Sequence, residues 1–277
     1  MNTYAQLLRQ GKELLEKAGV LEAELDAWYL LSDTFAIDRT TFLIERSNFQ
    51  ELPANLLEQY KKRLDQRAKR IPLQHILGVQ EFMGMEFIVN HNVLIPRQDT
   101  ETLVEEVWKE KTGTVLDLCT GSGCIAVSLA KLGTFQKIDA ADISEEALKT
   151  AKQNADKMNV QVQFYHSDLL DQITGTYDII VSNPPYIAKE VIETLEPEVK
   201  DHEPYQALYA PNCGLYFYEQ ISKSAKDHLN PGGRIFYEIG FDQADAVCQI
   251  LKKNGYKSIR VIQDLTGKDR VVRAMIK

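Results

Sequence analysis

Several features are missing from this sequence. Only four of its 277 residues are cysteine (Cys119, Cys124, Cys213 and Cys248), and none form a Cys-x-x-Cys pair. Neither a disulfide framework nor a zinc site is expected, and reduced thiols point to a cytoplasmic protein. The five histidines match no metal-ligand spacing. Glycine and proline together make only 24 residues, against 44% apolar and 26% charged residues, which excludes collagen-like and disordered chains. No apolar run approaches the ~18 residues a membrane span needs. The N-terminal stretch MNTYAQLLRQGKELLEKAG interleaves charges with leucines and has no apolar core of a secretion signal. Positive charge is also in deficit, with 32 Lys and Arg against 40 Asp and Glu and a net charge of −8. A globally basic nucleic-acid binder is therefore disfavoured.

The length suggests about two domains. Up to residue 72 the apolar period is helical. Thr3 is placed to cap a helix carrying Leu7, Leu8, Leu14 and Leu15 that stops at Gly19, and Leu21 to Phe35 suggest a second. A short third is expected over 40–46, and Pro53 opens a fourth that runs to Arg70. Residues 1–80 hold eleven basic and eleven acidic side chains, so the whole negative balance falls on 81–277. Lys61, Lys62, Arg63, Arg67, Lys69 and Arg70 crowd six positive charges into ten residues. A solvated helix face is the preferred reading of this run over an acidic or RNA partner.

Between Ile71 and Pro96 the period becomes 2 on either side of Gly84, which reads as a β-hairpin. The spacing then predicts a helix through Leu103, Val104, Val107 and Trp108, and after it strands alternate with helices. Strands are expected near 114–118, 136–141, 160–165, 177–182, 234–239, 258–263 and 270–275, with helices near 123–132, 144–158, 214–228 and 243–254. This is the pattern of an α/β, doubly wound, mostly parallel sheet. Only six residues separate the last two strands, so they should form an antiparallel hairpin. The expected domains are a helical bundle at 1–72, a hairpin linker at 73–96 and a catalytic domain at 97–277.

The chemistry concentrates at the ends of successive strands. Val115 to Leu118 runs into Cys119-Thr120-Gly121-Ser122-Gly123 and then a helix, a turn that lets a ligand approach backbone N–H donors. Asp142 stands nineteen residues after Gly123 at the end of the next strand, where a carboxylate can accept both hydroxyls of a ribose. Asp168 follows the third strand, positioned to read an adenine edge, with Leu169 to pack on the ring. The strand Asp178 to Ser182 ends in Asn183-Pro184-Pro185-Tyr186. Two prolines fix a rigid bracket there. The Asn183 oxygen and a main-chain carbonyl of Ser182 or Pro184 can both accept from one NH2 group, and Tyr186 supplies a flat wall. Arg97 is expected to line the pocket.

Asn-Pro-Pro-Tyr after the fourth strand resembles the class I S-adenosylmethionine-dependent methyltransferases that modify amide or exocyclic amine nitrogens. Pro72 to Gly78, Val93 to Glu101, Ser182 to Ile187 and Glu203-Pro204-x-x-Ala207-Leu208 are more closely similar to the HemK/PrmC family of release factor glutamine methyltransferases. This resemblance covers essentially the whole chain. It implies that Cys119, Thr120, Gly121, Ser122 and Gly123 hold the methionine part of S-adenosylmethionine, Asp142 its ribose, and Asp168 with Leu169 its adenine. Asn183, Pro184, Pro185 and Tyr186 would receive the target glutamine of a release factor, with Asn183, Pro184 and Tyr186 catalytic, Asn183 also touching the cofactor, and S-adenosylhomocysteine as product. A monomer is expected, without a metal or a specific nucleic-acid partner. The alternative is an adenine methyltransferase acting on DNA or RNA. Three positions depart from the family pattern: Cys119 where glycine is common, Gln98 after Arg97 where proline is common, and Cys213-Gly214 where Asp-Gly is usual.

Overall fold

Local signals set the helices of the N-terminal part. In the computed structural model, which describes residues 3–48 and 51–277, the Thr3 hydroxyl accepts from the Gln6 N–H at 3.1 Å and the Gln6 side chain accepts from the Thr3 N–H at 3.0 Å. This capping box starts α1 (Tyr4–Lys17). Helix α2 (Ala23–Phe35) ends at Ala36 in the left-handed conformation, and Asp38 caps α3 (Arg39–Glu45) through the Thr41 N–H at 2.7 Å. Helix α4 (Ala54–Ala68) follows Pro53, which sits at the cap rather than inside the first turn. Leu7, Leu15, Ala27, Leu30, Leu31, Tyr60 and Leu64 fill the core, each fully buried leucine contributing about 2 kcal/mol. Trp28 is buried against Phe42 with the Arg39 guanidinium 4.0 Å above its ring, a core residue as its helical spacing suggests.

The described residues divide into two compact units: the stretch up to Gly78 with Glu196–His202, and Val79–Leu195 with Glu203–Lys277. The expected linker is therefore shared. Helix α5 (Leu73–Leu77) packs Leu73, Ile76 and Leu77 on the helical core. The hairpin β1 (Val79–Phe82) and β2 (Met85–Ile88) puts Phe82 and Phe87 in the core of the other unit.

In the second unit, α6 (Gln98–Trp108) precedes the alternating series β3 (Thr114–Leu118), α7 (Cys124–Leu132), β4 (Lys137–Asp142), α8 (Glu145–Met158), β5 (Gln163–His166) and β6 (Tyr177–Ser182). Short helices α9 (Lys189–Ile192), α10 (Pro197–Lys200, in the helical unit) and α11 (Tyr205–Leu208) follow, then α12 (Tyr216–Ser224), β7 (Leu229–Glu238), α13 (Ala244–Lys253), β8 (Lys257–Gln263) and β9 (Asp269–Met275). The strand order is β5-β4-β3-β6-β7-β9-β8. Strands β3 to β7 are parallel, while β9 runs antiparallel to β7 and β8 antiparallel to β9. Alternate residues face opposite layers. Leu116, Leu118, Ile180 and Tyr237 meet α12 and α13 on one face, and Val115, Ile179, Val181 and Phe236 meet α6 and α7 on the other.

The expected α/β fold and its antiparallel terminal hairpin are present, with shifted edges. Strand β5 starts at Gln163 rather than 160 because the Val160 N–H closes the end of α8 on the Ala155 carbonyl. The helix expected over 214–228 is α12 followed by a 3-10 turn at Ala225–His228. Chain order reverses between β3 and β6, the switch point at which open α/β sheets bind ligands.

Candidate active site

The turn after β3 is set from beneath by Asp117, a fully buried residue with no role assigned by the sequence reading. Its Oδ2 accepts from the Thr120 hydroxyl at 2.6 Å and from the Ala126 N–H at 3.2 Å. Burial pushes this carboxyl up to about 7, although the Thr120 and Ala126 hydrogen bonds oppose the rise. Gly123 has φ +78°, and a Cβ there would lie 2.9 Å from the Ala151 Cβ, so only glycine lets α7 start against α8. At the end of β4, Asp142 accepts from the Gly121 N–H at 2.8 Å and the Ser144 N–H at 2.9 Å. Burial raises its carboxyl while these donors hold it down.

A cavity of about 150 Å³ that opens to solvent lies over these strand ends. Of the sequence-predicted residues, Cys119, Gly121, Asp142, Asp168, Leu169, Asn183 and Pro185 line it. Thr120, Ser122, Gly123, Pro184 and Tyr186 do not: Thr120 and Ser122 are buried in support of the turn, and the Asn154 amide holds the Ser122 carbonyl at 2.9 Å. Arg97 is likewise off the wall. Its guanidinium pairs with the buried Glu203, which also accepts from the Ile95 N–H at 3.3 Å. The preference for Arg97 as a pocket residue thus gives way to a loop-anchoring pair.

Other wall residues had no chemical role in the sequence reading: Asn92, Val93 and Leu94 from the segment before α6, Pro204, Gln206 and Ala207 around α11, and Phe217 on α12. A parallel bridge from Ile187 to Tyr209 folds the 187–209 excursion back on itself, with the Ala210 N–H on the Ile187 carbonyl at 2.9 Å. Two of these groups lie in the motifs Val93 to Glu101 and Glu203 to Leu208, the available sequence signal.

The Asn-Pro-Pro-Tyr bracket is tied down on several sides. The Asn183 Nδ2 donates to the Thr100 hydroxyl oxygen at 3.4 Å, the Tyr186 hydroxyl donates to Glu238 Oε1 at 3.2 Å, and the Gln243 amide donates to the Tyr186 carbonyl at 3.1 Å. Gly214 allows the chain to pass the same carbonyl, which a Cβ would approach to 2.2 Å. Glu238 is buried at the end of β7, and its carboxyl is pushed up to about 7 by burial. Asp117 Oδ1 and Glu238 Oε2 are both buried without a hydrogen bond. The cavity wall thus combines carboxylates at two successive strand ends, backbone groups of a turn, apolar surfaces from Leu169 and Phe217, and the side-chain amides of Asn92, Asn183 and Gln206. That donor set fits an adenosine-bearing ligand with an amide-reading corner beside it.

Two family models match the chain: the PrmC N-terminal domain over residues 6–78 and the Methyltransferase small domain over residues 97–196. A Clostridium botulinum protein named release factor glutamine methyltransferase is 40% identical, covering 97% of each chain, and a Geobacter sulfurreducens protein of that name is 38% identical over 99% of this chain and 97% of its own. Among solved structures, a methyltransferase from Pyrococcus furiosus superposes with a TM-score of 0.57 at 19% identity, covering 76% of this chain and 98% of that one. A T. thermophilus 16S rRNA methyltransferase in complex with AdoMet and guanosine gives a TM-score of 0.51 at 16% identity, covering 72% of this chain and 50% of the other. At such identities the structural likeness concerns the fold. Among the described residues no helix is long and apolar enough to cross a membrane.

Proposed function

The chain belongs to the release factor glutamine methyltransferases, and we propose that the cavity over β3 to β6 is where it transfers a methyl group from S-adenosylmethionine to the side-chain amide nitrogen of a release factor glutamine. The observation that carries the site assignment is that Asn183 and Pro185 share a wall with Asp142 and Asp168. A nitrogen reader and a nucleoside reader then face one space. The turn Cys119 to Gly123 would hold the methionine portion, Asp142 the ribose, and Asp168 with Leu169 the adenine. When bound, the cofactor supplies an electrophilic methyl on sulfur.

The rest of the chemistry belongs to the chain. An amide nitrogen is a poor nucleophile because its lone pair is delocalised into the carbonyl. The Nδ2 of Asn183 is engaged by Thr100, so its Oδ1 is free to accept from the glutamine NH2. A main-chain carbonyl of Ser182 or Pro184 accepts the second proton, which favours a more tetrahedral nitrogen with its lone pair directed outward. No strong base is required beforehand, because the N-methylated amide becomes acidic as the new bond forms. Recognition of the release factor beyond its glutamine is assigned to the helical unit, a reading supported by the match over residues 6–78.

Mass spectrometry of a release factor incubated with enzyme and cofactor should show one methyl gained on a glutamine, and a DNA duplex offered in parallel should gain none. Asn183→Ala should lower turnover at least ~10²-fold while cofactor affinity stays within about threefold, the scale of losing one positioned transition-state hydrogen bond. Wild-type turnover in that variant overturns the assignment.

A further inference from the structure

A glutamine side chain is short, so the protein that delivers one to Asn183 must press its own surface against the rim of the bracket. The sheet indicates the side from which it comes. Under the proposed function the readers of the cofactor stand at the ends of β3, β4 and β5, and the bracket at the end of β6. The same edge continues through the end of β7, the start of β9 and the end of β8, because β9 runs antiparallel to both of its neighbours.

The loops at that end hold two large apolar side chains in solvent. Phe241, 62% exposed, lies between β7 and α13, and Leu265, fully exposed, lies in the turn between β8 and β9. Single exposed hydrophobes are common. These two are set apart by how firmly their loops are held and by what holds them. Asp264 Oδ1 accepts from the Thr266 N–H at 2.8 Å, the Thr266 hydroxyl at 2.7 Å and the Lys268 N–H at 3.1 Å, so the turn closes around its own carboxylate with Leu265 beside it. Asp264 Oδ2 takes the Arg270 guanidinium at 3.2 Å, which also pairs at 2.9 Å with Asp99, the residue before the Thr100 that holds Asn183. Arg270 donates as well to the Ile239 carbonyl at 3.3 Å, where the Phe241 loop begins. At the far end of that loop the Gln243 side chain accepts from the Gly240 N–H at 3.0 Å and donates to the Tyr186 carbonyl at 3.1 Å. The Lys268 ammonium lies 5.6 Å from the centre of the Phe241 ring, so the two loops meet. Both are thus tied to the bracket, and all of these residues belong to the sheet unit.

We infer that Phe241 and Leu265 form a docking surface for the release factor, receiving an apolar side chain that flanks the target glutamine. A turn already fixed by Asp264 and Arg270 loses little freedom on contact, which lets a small apolar patch add useful affinity. The exposed charges beside it, Lys268 and Asp242, are of opposite sign. The patch therefore favours neither a phosphate backbone nor an acidic peptide, and it suits an apolar spot on a protein surface.

This inference rests on the proposed function, and one set of assays separates the two. The full chain, Leu265→Ser, the double variant Phe241→Ser/Leu265→Ser and Leu132→Ser are compared in methyl transfer to an intact release factor, with S-adenosylhomocysteine affinity measured by calorimetry. Leu132 is the control: it is 37% exposed and ends α7, which runs from the end of β3 back toward the start of β4 at the opposite sheet edge. The double variant should raise KM for the release factor at least ~10-fold, and Leu265→Ser alone at least ~3-fold. In both, kcat and S-adenosylhomocysteine affinity should stay within about twofold, and Leu132→Ser should keep the wild-type KM. Glutamine methylation by the wild type, together with a KM in the double variant within about twofold of wild type, overturns this inference alone. An equal rise of KM in Leu132→Ser overturns it as well, because the effect is then not local. Absence of glutamine methylation by the wild type overturns the proposed function and this inference with it. Should the double variant fail to bind S-adenosylhomocysteine, the fully exposed Leu265 decides, and an unchanged KM in Leu265→Ser overturns the inference. Sedimentation that finds a wild-type dimer dissociated by Leu265→Ser assigns the surface to a second copy of this chain and likewise overturns it.

Discussion

The two units differ in how far their buried charge is paired. In the helical unit the buried ions are neutralised: Arg67 binds Asp26 and Glu198, each at 2.7 Å, and Arg70 closes on the two Glu198 oxygens at 2.7 and 2.6 Å. Burial works to raise Glu198, but the hydrogen bonds from Arg70 and Arg67 outweigh it and hold the carboxyl at about 2. In the sheet unit, Asp117 and Glu238 each keep one buried oxygen without a hydrogen bond, and both carboxyls rise to about 7. Charges that hold a fold together are matched, whereas those beside the strand ends are left poised, as at sites that must handle charge or protons. The basic run of α4 belongs to the first kind. Arg63, Arg67 and Arg70 pair with acids of their own unit, so half of its cations are internal counter-charges rather than a solvated face.

The strongest way to break this comparison is to remove the centre of the paired network. Arg67→Ala leaves Asp26 buried without its cation and Glu198 with one arginine, and breaking a buried pair costs about 3–5 kcal/mol. Urea denaturation followed at the buried Trp28, in a Trp108→Phe background, should register that loss. Affinity for S-adenosylhomocysteine should change less than about twofold, since Arg67 does not line the cavity. A loss under about 1 kcal/mol would mean that the network is a surface decoration.

The pH dependence of stability sharpens the same contrast. A carboxyl raised in the folded state adds stability below its unfolded pKa and loses it as pH rises through the folded value. For Glu238 that window runs from 4.5 to about 7, and for Asp117 from 3.8 to about 7, so the sheet unit should weaken between pH 5 and 8. Glu198 is lowered, so its contribution is present above 4.5 and is lost only as pH falls toward 2. Asp26 opposes it, raised by burial against the pull of Arg67, which flattens the helical unit's response. Glu238→Gln should therefore gain stability relative to wild type on going from pH 5 to 8, by at most about 3 kcal/mol, in urea denaturation followed at Trp108 in a Trp28→Phe background. An equal difference at both pH values removes Glu238 from the titrating set.

The position of the site was legible in the sequence, but this contrast in buried charge was not. Asp142 and Asn183 could be read as site residues because each ends an apolar strand, and the carboxyl ends of parallel strands share one edge. The apolar runs of β3 and β6 likewise gave the sheet its centre. Arg97 could not be read correctly, because Glu203 stands 106 positions away and only the fold of 187–209 joins them. Tyr186 had the same fate: its ring suggests a wall, but its hydroxyl is committed to Glu238, 52 positions on, and it does not line the cavity. Spacing identifies residues that share an element, and it is silent on those that meet across loops.

The smallest expected effect tests whether the site's backbone, like its carboxylates, is held at a cost. Cys119 has φ +59° and lines the cavity at a position where the related family commonly carries glycine. A side chain in the left-handed region costs about 1–2 kcal/mol. Glycine relieves that strain but gains unfolded-state freedom worth about 0.5–1 kcal/mol. Cys119→Gly should then be more stable than wild type by about 0.5 kcal/mol, while Cys119→Ala, which loses the sulfur but keeps the strain, should be less stable than Cys119→Gly by about 1 kcal/mol. Both variants keep the backbone donors of the turn, so S-adenosylhomocysteine affinity should stay within about threefold in each. If Cys119→Ala proves the more stable of the two in thermal denaturation, the turn carries no strain.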